Sequence, residues 1–206
     1  VERVLALPAL EVVSSVSRGS GSGLGAAERG TVVHVLLERL DFRRPVVPAL
    51  EAIAGTQSMS EHDAAEIQAL LQRFIGGELA RRLGRARGVQ REQPFAFPLG
   101  RTLITGVLDL IAREPPGRAL VVDYKTDRLD GAAPAELAGG RYGTQRLIYA
   151  LAALRDGAEE VEVVHVFLER PDAPVTATFT REDTARLERE LTQLVDRLRR
   201  AEYAVS

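Results

Sequence analysis

The stretch over 93–127, QPFAFPLGRTLITGVLDLIAREPPGRALVVDYKTD, restricts the fold more than any other part of the chain. Apolar, β-forming residues occupy three runs, and turn-forming residues separate these runs at Leu99-Gly100 and at Pro115-Pro116-Gly117. The pattern predicts three consecutive strands in an antiparallel meander. A sheet of this kind must cover its apolar faces, which helices on either side can do.

Helical patterns and two more strands surround the meander. Apolar residues at 32, 33, 36, 37 and 40 predict one helix. Ser60 and Asp63 cap a second predicted helix, which Gly76-Gly77 interrupts. The stretch TQRLIYALAALRDG predicts a third. The stretches EVEVVHVFLER and PVTATFT predict two strands, and Thr180 with Asp183 caps a final helix. We expect an α/β (α+β) fold with a central mixed β-sheet of about five strands flanked by helices.

We expect one domain over 1–206. It would comprise a flexible N-terminal segment with a Gly/Ser loop over 1–27, a helical insertion over 41–90, and the catalytic sheet with its helices over 91–206. The chain begins without methionine, so we expect a fragment of a longer polypeptide.

Composition excludes several classes of protein. The chain has no cysteine, which excludes disulfides, thiolate zinc sites and a cysteine-held iron–sulfur cluster. No apolar run is long enough to predict a membrane span, and we expect a cytoplasmic protein. The net charge of -2 does not indicate a broadly basic nucleic-acid surface. An arginine-rich stretch is either a solvated helix face, the commoner case, or a phosphate-binding patch; it holds Arg81, Arg82, Arg85, Arg87 and Arg91.

An acid and an amine end the third predicted strand. Side chains alternate along a strand, so Asp123 and Lys125 share one face. Lys125 is the only lysine among 27 basic residues, and arginine cannot replace a compact ammonium that must contact one oxygen. Asp109 lies on the neighbouring predicted strand. Two such carboxylates are either hydrogen-bonded structural acids or ligands that share a divalent cation.

The motifs around these residues resemble those of a known protein family. GVLDLI followed by LVVDYKT resembles the G-x-x-D…D-Y-K signature of the PD-(D/E)XK nuclease superfamily in its RecB-like branch, as found at the C-terminus of UvrD/RecB/AddA-type helicase–nucleases. ERGTVVHVLLE, with His34, REQPF, with Glu92, and YGTQRLIYALAAL, with Gln145 and Tyr149, follow the order of that branch. The similarity covers about 28–170. Leu108-Asp109 replaces the Pro-Asp of the family name.

The resemblance implies a restriction-endonuclease-like core and a Mg²⁺- or Mn²⁺-dependent DNA nuclease, expected to be an exonuclease. The metal ligands of such a nuclease would be His34, Asp109, Asp123 and the backbone carbonyl of Tyr124. Its further catalytic residues would be Lys125, Glu92, Gln145 and Tyr149. Contacts to DNA would come from Gln145, Tyr149, Arg141 and Arg146, although Gln145 and Tyr149 could instead hold Lys125 in place.

The histidines have a simpler interpretation. A histidine among apolar helical positions, such as His34, is more often a core residue than a ligand, although Glu38 one turn later could orient its ring. We interpret His62 and His165 as structural.

The expected partners are DNA, with a single-stranded end, and a fused or associated helicase motor in DNA repair. No membrane and no iron–sulfur cluster are expected. One alternative is a catalytically idle nuclease fold that binds or guides DNA. A glycosidase with paired carboxylates is another, but it explains neither Lys125 nor the QRLIY helix.

Overall fold

The computed structural model describes residues 3–6, 24–49 and 59–204. Its helices and strands are β1 (Arg3–Ala6), α1 (Ala26–Arg39), α2 (Glu61–Ile75), α3 (Glu78–Arg85), β2 (Gly88–Leu99), β3 (Thr102–Glu114), β4 (Arg118–Lys125), α4 (Pro134–Gly140), α5 (Gly143–Arg155), β5 (Glu160–Phe167), β6 (Val175–Thr180) and α6 (Thr184–Ala204), the last preceded by a 3₁₀ turn at Arg181–Asp183. The predicted α/β class with a central mixed sheet flanked by helices is confirmed.

The predicted meander forms as β2, β3 and β4. β2 pairs antiparallel with the whole of β3, from Gly88↔Arg113 to Leu99↔Thr102, and β3 pairs antiparallel with β4. Both predicted turns hold a glycine with positive φ, at Gly100 (φ 57) and Gly117 (φ 62), where a residue with a Cβ is disfavoured. β5 joins β4 in parallel through the crossover helix α5, and β6 closes that side as an antiparallel edge.

One strand of the sheet was not predicted. Arg3–Ala6 form β1, parallel to the first part of β3, which brings the described sheet to six strands. These four residues lie in the segment over 1–27 for which we expected flexibility. Most of that segment lies outside the described residues, as does part of the expected insertion over 41–90. No helix among the described residues is long and apolar enough to cross a membrane.

Helices cover both faces of the sheet. On one face α1, α2 and α3 pack their apolar sides against Leu110, Leu120 and Val122. On the other face α5 and α6 pack against Ile111, Val121 and other strand residues. Strand β4 is therefore buried on both sides, which accounts for its nearly continuous apolar run.

Near the middle of the β2–β3 hairpin, the side of each strand that faces a given core changes. At the open end Val89 and Leu110 contact the core under α1–α3, whereas beyond the exchange Phe97 and Leu108 contact the core under α5 and α6. Val89 and Phe97 are both odd-numbered residues of one strand, and a regular strand would place them on one face. The exchange falls at Glu92 and Asp109, the two acidic residues of this part of the hairpin.

Candidate metal centre and buried lysine

Asp109 lies where the two central strands separate. The β3–β4 ladder runs from Glu114↔Arg118 to Leu110↔Val122 and does not continue to Asp109 and Asp123. In its place, the Tyr124 backbone N–H donates to Asp109 Oδ2 at 2.9 Å. The carboxylate thus satisfies a buried donor that the missing ladder leaves open, and this fixes its position.

Glu92 lies across β2 from Asp109. The flanking pairs Arg91↔Leu110 and Gln93↔Leu108 put Glu92 opposite Asp109 in register. Its backbone has φ 47, in the left-handed region that residues with a Cβ occupy only at a cost. The irregular backbone turns this part of β2 and accompanies the change of faces described above.

Three side chains form a cluster that could hold a cation. One ligand atom each from His34, Glu92 and Asp109 lie within 4.8 Å of one another. His34 projects from α1, with Nδ1 3.8 Å from Asp109 Oδ2 and its ring edge-on to Tyr124. Glu92, which we expected in a catalytic role, is therefore one of the three clustered side chains. Asp123 lies outside this group, and the ligand assignments stay predictions.

Burial makes the site costly for negative charge. Desolvation raises the pKa of Asp109 to about 6, against the opposing effects of the Tyr124 hydrogen bond and of Lys125. Desolvation also raises the pKa of Asp123, against the opposing effect of Lys125, and the pKa of Glu92 rises for the same reason. A bound cation would offset this cost.

Lys125 is held in a buried chain of polar contacts. Its Nζ lies 2.7 Å from Asp123 Oδ2 and donates to Gln145 Oε1 at 2.9 Å. Gln145 Nε2 in turn donates to the Tyr149 hydroxyl at 2.7 Å, and that hydroxyl donates to the Val107 carbonyl at 3.2 Å. Gln145 and Tyr149 are both buried, so this arrangement supports the alternative in which they hold the lysine. Their contact with DNA stays a prediction.

The two arginines expected to contact DNA lie near the start of α5. Arg141 is exposed and donates to Asp127 Oδ1 at 2.7 Å. Arg146 is half-buried, and no ion pair involves it among the residues that the structure describes. The arginine-rich stretch earlier in the chain is structural in part: Arg82 binds Glu114 and Glu162, and Arg91 donates to the Leu40 carbonyl.

Two residues that the sequence interpretation did not place at the site lie beside it. His165 is opposite Asp123 in the parallel β4–β5 register, fully buried, with Nε2 3.7 Å from Asp123 Oδ2. Burial lowers its pKa to about 3, so the ring is neutral. Tyr142 places its ring 3.8 Å from Lys125 Nζ. Neither residue carried a sequence signal: Tyr142 precedes α5 and lies outside its helical repeat, and His165 is one position of a buried strand.

A helix-flanked mixed sheet whose central strands separate around Asp109, Asp123 and Lys125 defines an α/β protein with a carboxylate–lysine site at the sheet centre. The family model of the PD-(D/E)XK nuclease superfamily matches residues 3–206, and the chain belongs to this superfamily. The resemblance drawn from the motifs is therefore confirmed.

Individual relatives agree with the family. The chain is 29% identical over 164 residues, 71% of its length, to an ATP-dependent helicase/nuclease subunit of Acetivibrio thermocellus. It is 31% identical over 156 residues, 63% of its length, to the protein of the same name from Bacillus cereus strain G9842. These stretches are only 13% and 12% of the relatives' own lengths. A solved structure from Eubacterium rectale, described as a candidate exonuclease, matches with a TM-score of 0.42 and 13% identity, over 70% of this chain and 56% of that one.

Proposed function

We propose that this chain is a Mg²⁺- or Mn²⁺-dependent DNA nuclease domain that hydrolyses phosphodiester bonds from a DNA end. The observation that carries the proposal is the clustering of His34, Glu92 and Asp109 beside the buried Asp123–Lys125 pair. A cation site next to a fixed ammonium could promote attack of water on a phosphate. The cation would activate the water, and the ammonium would stabilise the negative charge that develops on the phosphate oxygens.

The chemistry of the donors fits a divalent cation. Two carboxylates suit hard cations such as Mg²⁺ and Mn²⁺, and a neutral imidazole adds a nitrogen ligand that Mn²⁺ accepts readily. His34, Glu92 and Asp109 would hold the ion, with Asp123 and the Tyr124 carbonyl as further candidates. When bound, such a cation lowers the pKa of a water and polarises the scissile phosphate.

Lys125 would act on the phosphate or on the attacking water. Its side chain is only 8% exposed, so contacts within the protein fix the direction from which the ammonium would act. A positioned ammonium can orient a water molecule or donate to a phosphate oxygen as negative charge grows there. Asp123 balances its charge and, with Gln145, fixes its place.

The DNA strand would approach over the start of α5, where Arg141 and Arg146 can contact phosphates. The relatives are named as helicase/nuclease subunits, and the chain matches only about an eighth of their length. We therefore propose that it works in DNA repair as the nuclease module of a longer helicase–nuclease, whose motor delivers a single-stranded end. Delivery by a motor would also reduce the need for a large basic surface on a domain of net charge -2.

Digestion of end-labelled and circular single-stranded DNA with Mn²⁺ tests the proposal. The 206-residue chain should degrade the linear DNA, spare the circle, and stop when EDTA is added. Asp109→Ala and Asp123→Ala should reduce the rate by at least about a hundredfold, whereas Asp156→Ala, at an exposed carboxylate paired with Arg113, should not.

The other outcomes of this assay are equally informative. Cleavage of the circle would show an endonuclease, and binding of DNA without EDTA-sensitive cleavage would indicate an idle module. Full activity of both aspartate variants would reject the site.

A further inference from the structure

We propose that Tyr142 and Asp127 form a brace that fixes the ammonium of Lys125, and that Tyr142 is a positioning residue of this site. The ring centroid of Tyr142 lies 3.8 Å from Lys125 Nζ, and the ring is 4% exposed. A cation at this distance from an aromatic face is attracted by the ring, and the attraction is strongest where water is excluded. The Tyr142–Asp127 brace gives Lys125 a third contact, after Asp123 and Gln145.

The ring is locked at its far end. The Tyr142 hydroxyl donates to Asp127 Oδ2 at 2.6 Å, while Arg141 donates to Asp127 Oδ1 at 2.7 Å. Asp127 follows Lys125 by two residues, so the chain leaves β4 and at once supplies the acceptor that sets the ring. The tyrosine therefore has one preferred orientation, with its face toward the ammonium.

Two rings on β5 also pack against the Tyr142 ring and restrict its movement away from Lys125. The His165 ring lies 5.7 Å away and the Phe167 ring 6.3 Å away, both on β5. Side-chain packing and the hydrogen bond to Asp127 thus act together to define where Nζ can lie.

A lysine needs such a brace because it has four rotatable side-chain bonds and a single charged atom. The Asp123 and Gln145 oxygens fix Nζ on two sides, and the ring closes a third. An ammonium that points to its reacting oxygen before substrate arrives loses no freedom in the transition state. If the ring only filled space, its removal would change stability but leave the lysine where it is.

The spectrum of the single lysine tests this directly. Since Lys125 is the only lysine, ¹³C,¹⁵N-lysine labelling gives one set of side-chain signals from the 206-residue chain. We expect its ε-methylene protons to lie upfield of the ordinary lysine position and to be split into two signals, because the ring face shields them and the side chain is fixed. Tyr142→Leu should return both protons toward the ordinary position. Tyr142→Phe and Asp127→Ala both keep a ring and lose the hydrogen bond that orients it, so each should reduce the shift in part.

Phe179→Leu is the matched control. It removes a buried ring from the core under α5 and α6 without touching the lysine, and it should leave the lysine signals unchanged. An unshifted lysine in the unmodified chain, a shift that survives Tyr142→Leu, or a shift that Asp127→Ala leaves unchanged would overturn the inference. The lysine signals of the unmodified chain are measured without any variant, so the proposal can be rejected even if a variant fails to fold.

A kinetic measurement of DNA cleavage also tests the brace, and this measurement rests on the proposed function. Tyr142→Leu should lower kcat by about tenfold and leave KM for DNA nearly unchanged. Tyr142→Phe, which keeps the ring and loses the hydrogen bond to Asp127, should recover part of the loss. An equal fall in Phe179→Leu would show that general destabilisation is responsible and would overturn the positioning role. If the unmodified chain cleaves no DNA, the proposed function fails while the lysine spectrum still decides the brace.

Discussion

The single lysine of the chain lies in a buried set of polar and aromatic contacts. Arginine supplies every other basic side chain, including those that form internal ion pairs such as Arg82. At 125 the contacts require a compact charge: Nζ meets a carboxylate, an amide oxygen and a ring face within 3.8 Å. A planar guanidinium spreads its charge over three nitrogens and cannot satisfy all three contacts from one atom.

Lys125→Arg should therefore abolish most of the proposed cleavage while leaving the fold intact. We expect kcat to fall by at least about a hundredfold, as for the loss of one oriented electrostatic donor. The measurement is a turnover assay at saturating DNA, with circular dichroism to verify folding. Arg118→Lys is the reciprocal control, at a half-exposed pair with Glu160, and should retain activity. Activity of Lys125→Arg within a few-fold of the unmodified chain would show that any positive charge suffices there.

At the scale of elements, the site depends on irregularities in regular strands. The left-handed backbone at Glu92 and the interrupted β3–β4 ladder at Asp109 lie opposite each other on β2 and β3. Regular pairing of β2 with β3 would keep Glu92 and Asp109 in an unbroken ladder. A β3–β4 ladder that continued past Leu110 would leave the Tyr124 N–H without need of a side-chain acceptor. Where the regular β3–β4 pairing ends, the hydrogen bond from Tyr124 fixes the position of the Asp109 carboxylate.

The backbone at Glu92 predicts an unusual order of substitutions. Asparagine tolerates a left-handed conformation, whereas a β-branched residue does not, so Glu92→Val should be less stable than Glu92→Asn by about 1–2 kcal/mol. In an ordinary strand the valine would be the better residue. Urea denaturation of the two variants measures the difference. Gln93→Val and Gln93→Asn, one position along, provide the control pair and should show the ordinary strand order.

An ion-pair cluster joins α3 to two strands and predicts a dependence of stability on pH. Arg82 donates to Glu114 through Nε and Nη2, each at 2.8 Å, and its Nη2 also lies 2.8 Å from Glu162. The hydrogen bonds from Arg82 hold the pKa of Glu114 below its usual value. A carboxyl with a lowered pKa in the folded state stabilises the fold above its unfolded pKa, near 4.5, and loses this contribution as pH falls through the folded value.

Arg82→Gln should therefore be destabilising at neutral pH and nearly neutral in acid. We expect a loss of about 1–2 kcal/mol at pH 7, because the side chains are mostly buried and two carboxylates are left facing each other. The difference from the unmodified chain should shrink as the pH falls below about 4. Urea denaturation across this pH range measures it, with Arg81→Gln as the control, at the exposed pair of Arg81 with Glu78 on the same helix. A difference that stays constant with pH would contradict the assignment of the effect to Glu114.

For the molecule as a whole, local signals sufficed for most elements but not for their assembly. Turn residues at Gly100 and Gly117, the Ser60–Asp63 cap and the break at Gly76-Gly77 act over a few residues, and each appears in the structure. β1 could not be predicted in this way because four residues carry little periodicity and their pairing with β3 spans about a hundred positions. The family signature predicts Asp109, Asp123 and Lys125 as site residues, and this stays a prediction. The contacts of Tyr142 and His165 depend on how the start of α5 packs against β5, which no local pattern encodes.

The stability of the whole molecule offers a test of the cation site that does not depend on catalysis. A ligand that binds only the folded state stabilises it by about 2.7 kcal/mol when present at a hundred times its Kd, which corresponds to a rise in Tm of roughly 5–10 °C for a chain of this size. Mn²⁺ should therefore raise the Tm of the unmodified chain, because it relieves the cost of burying Asp109 near Glu92.

His34→Ala should remove most of this rise. His62→Ala is its matched control, since His62 is an exposed histidine at the start of α2, outside the cluster, and should retain the full rise. Differential scanning calorimetry with and without Mn²⁺, and again after addition of EDTA, makes the measurement. An equal rise in His34→Ala and the unmodified chain would show that the ion binds elsewhere, even if the chain proves to be a nuclease. A rise lost in His34→Ala and kept in His62→Ala would locate the ion among α1, β2 and β3, the three elements whose meeting creates the site.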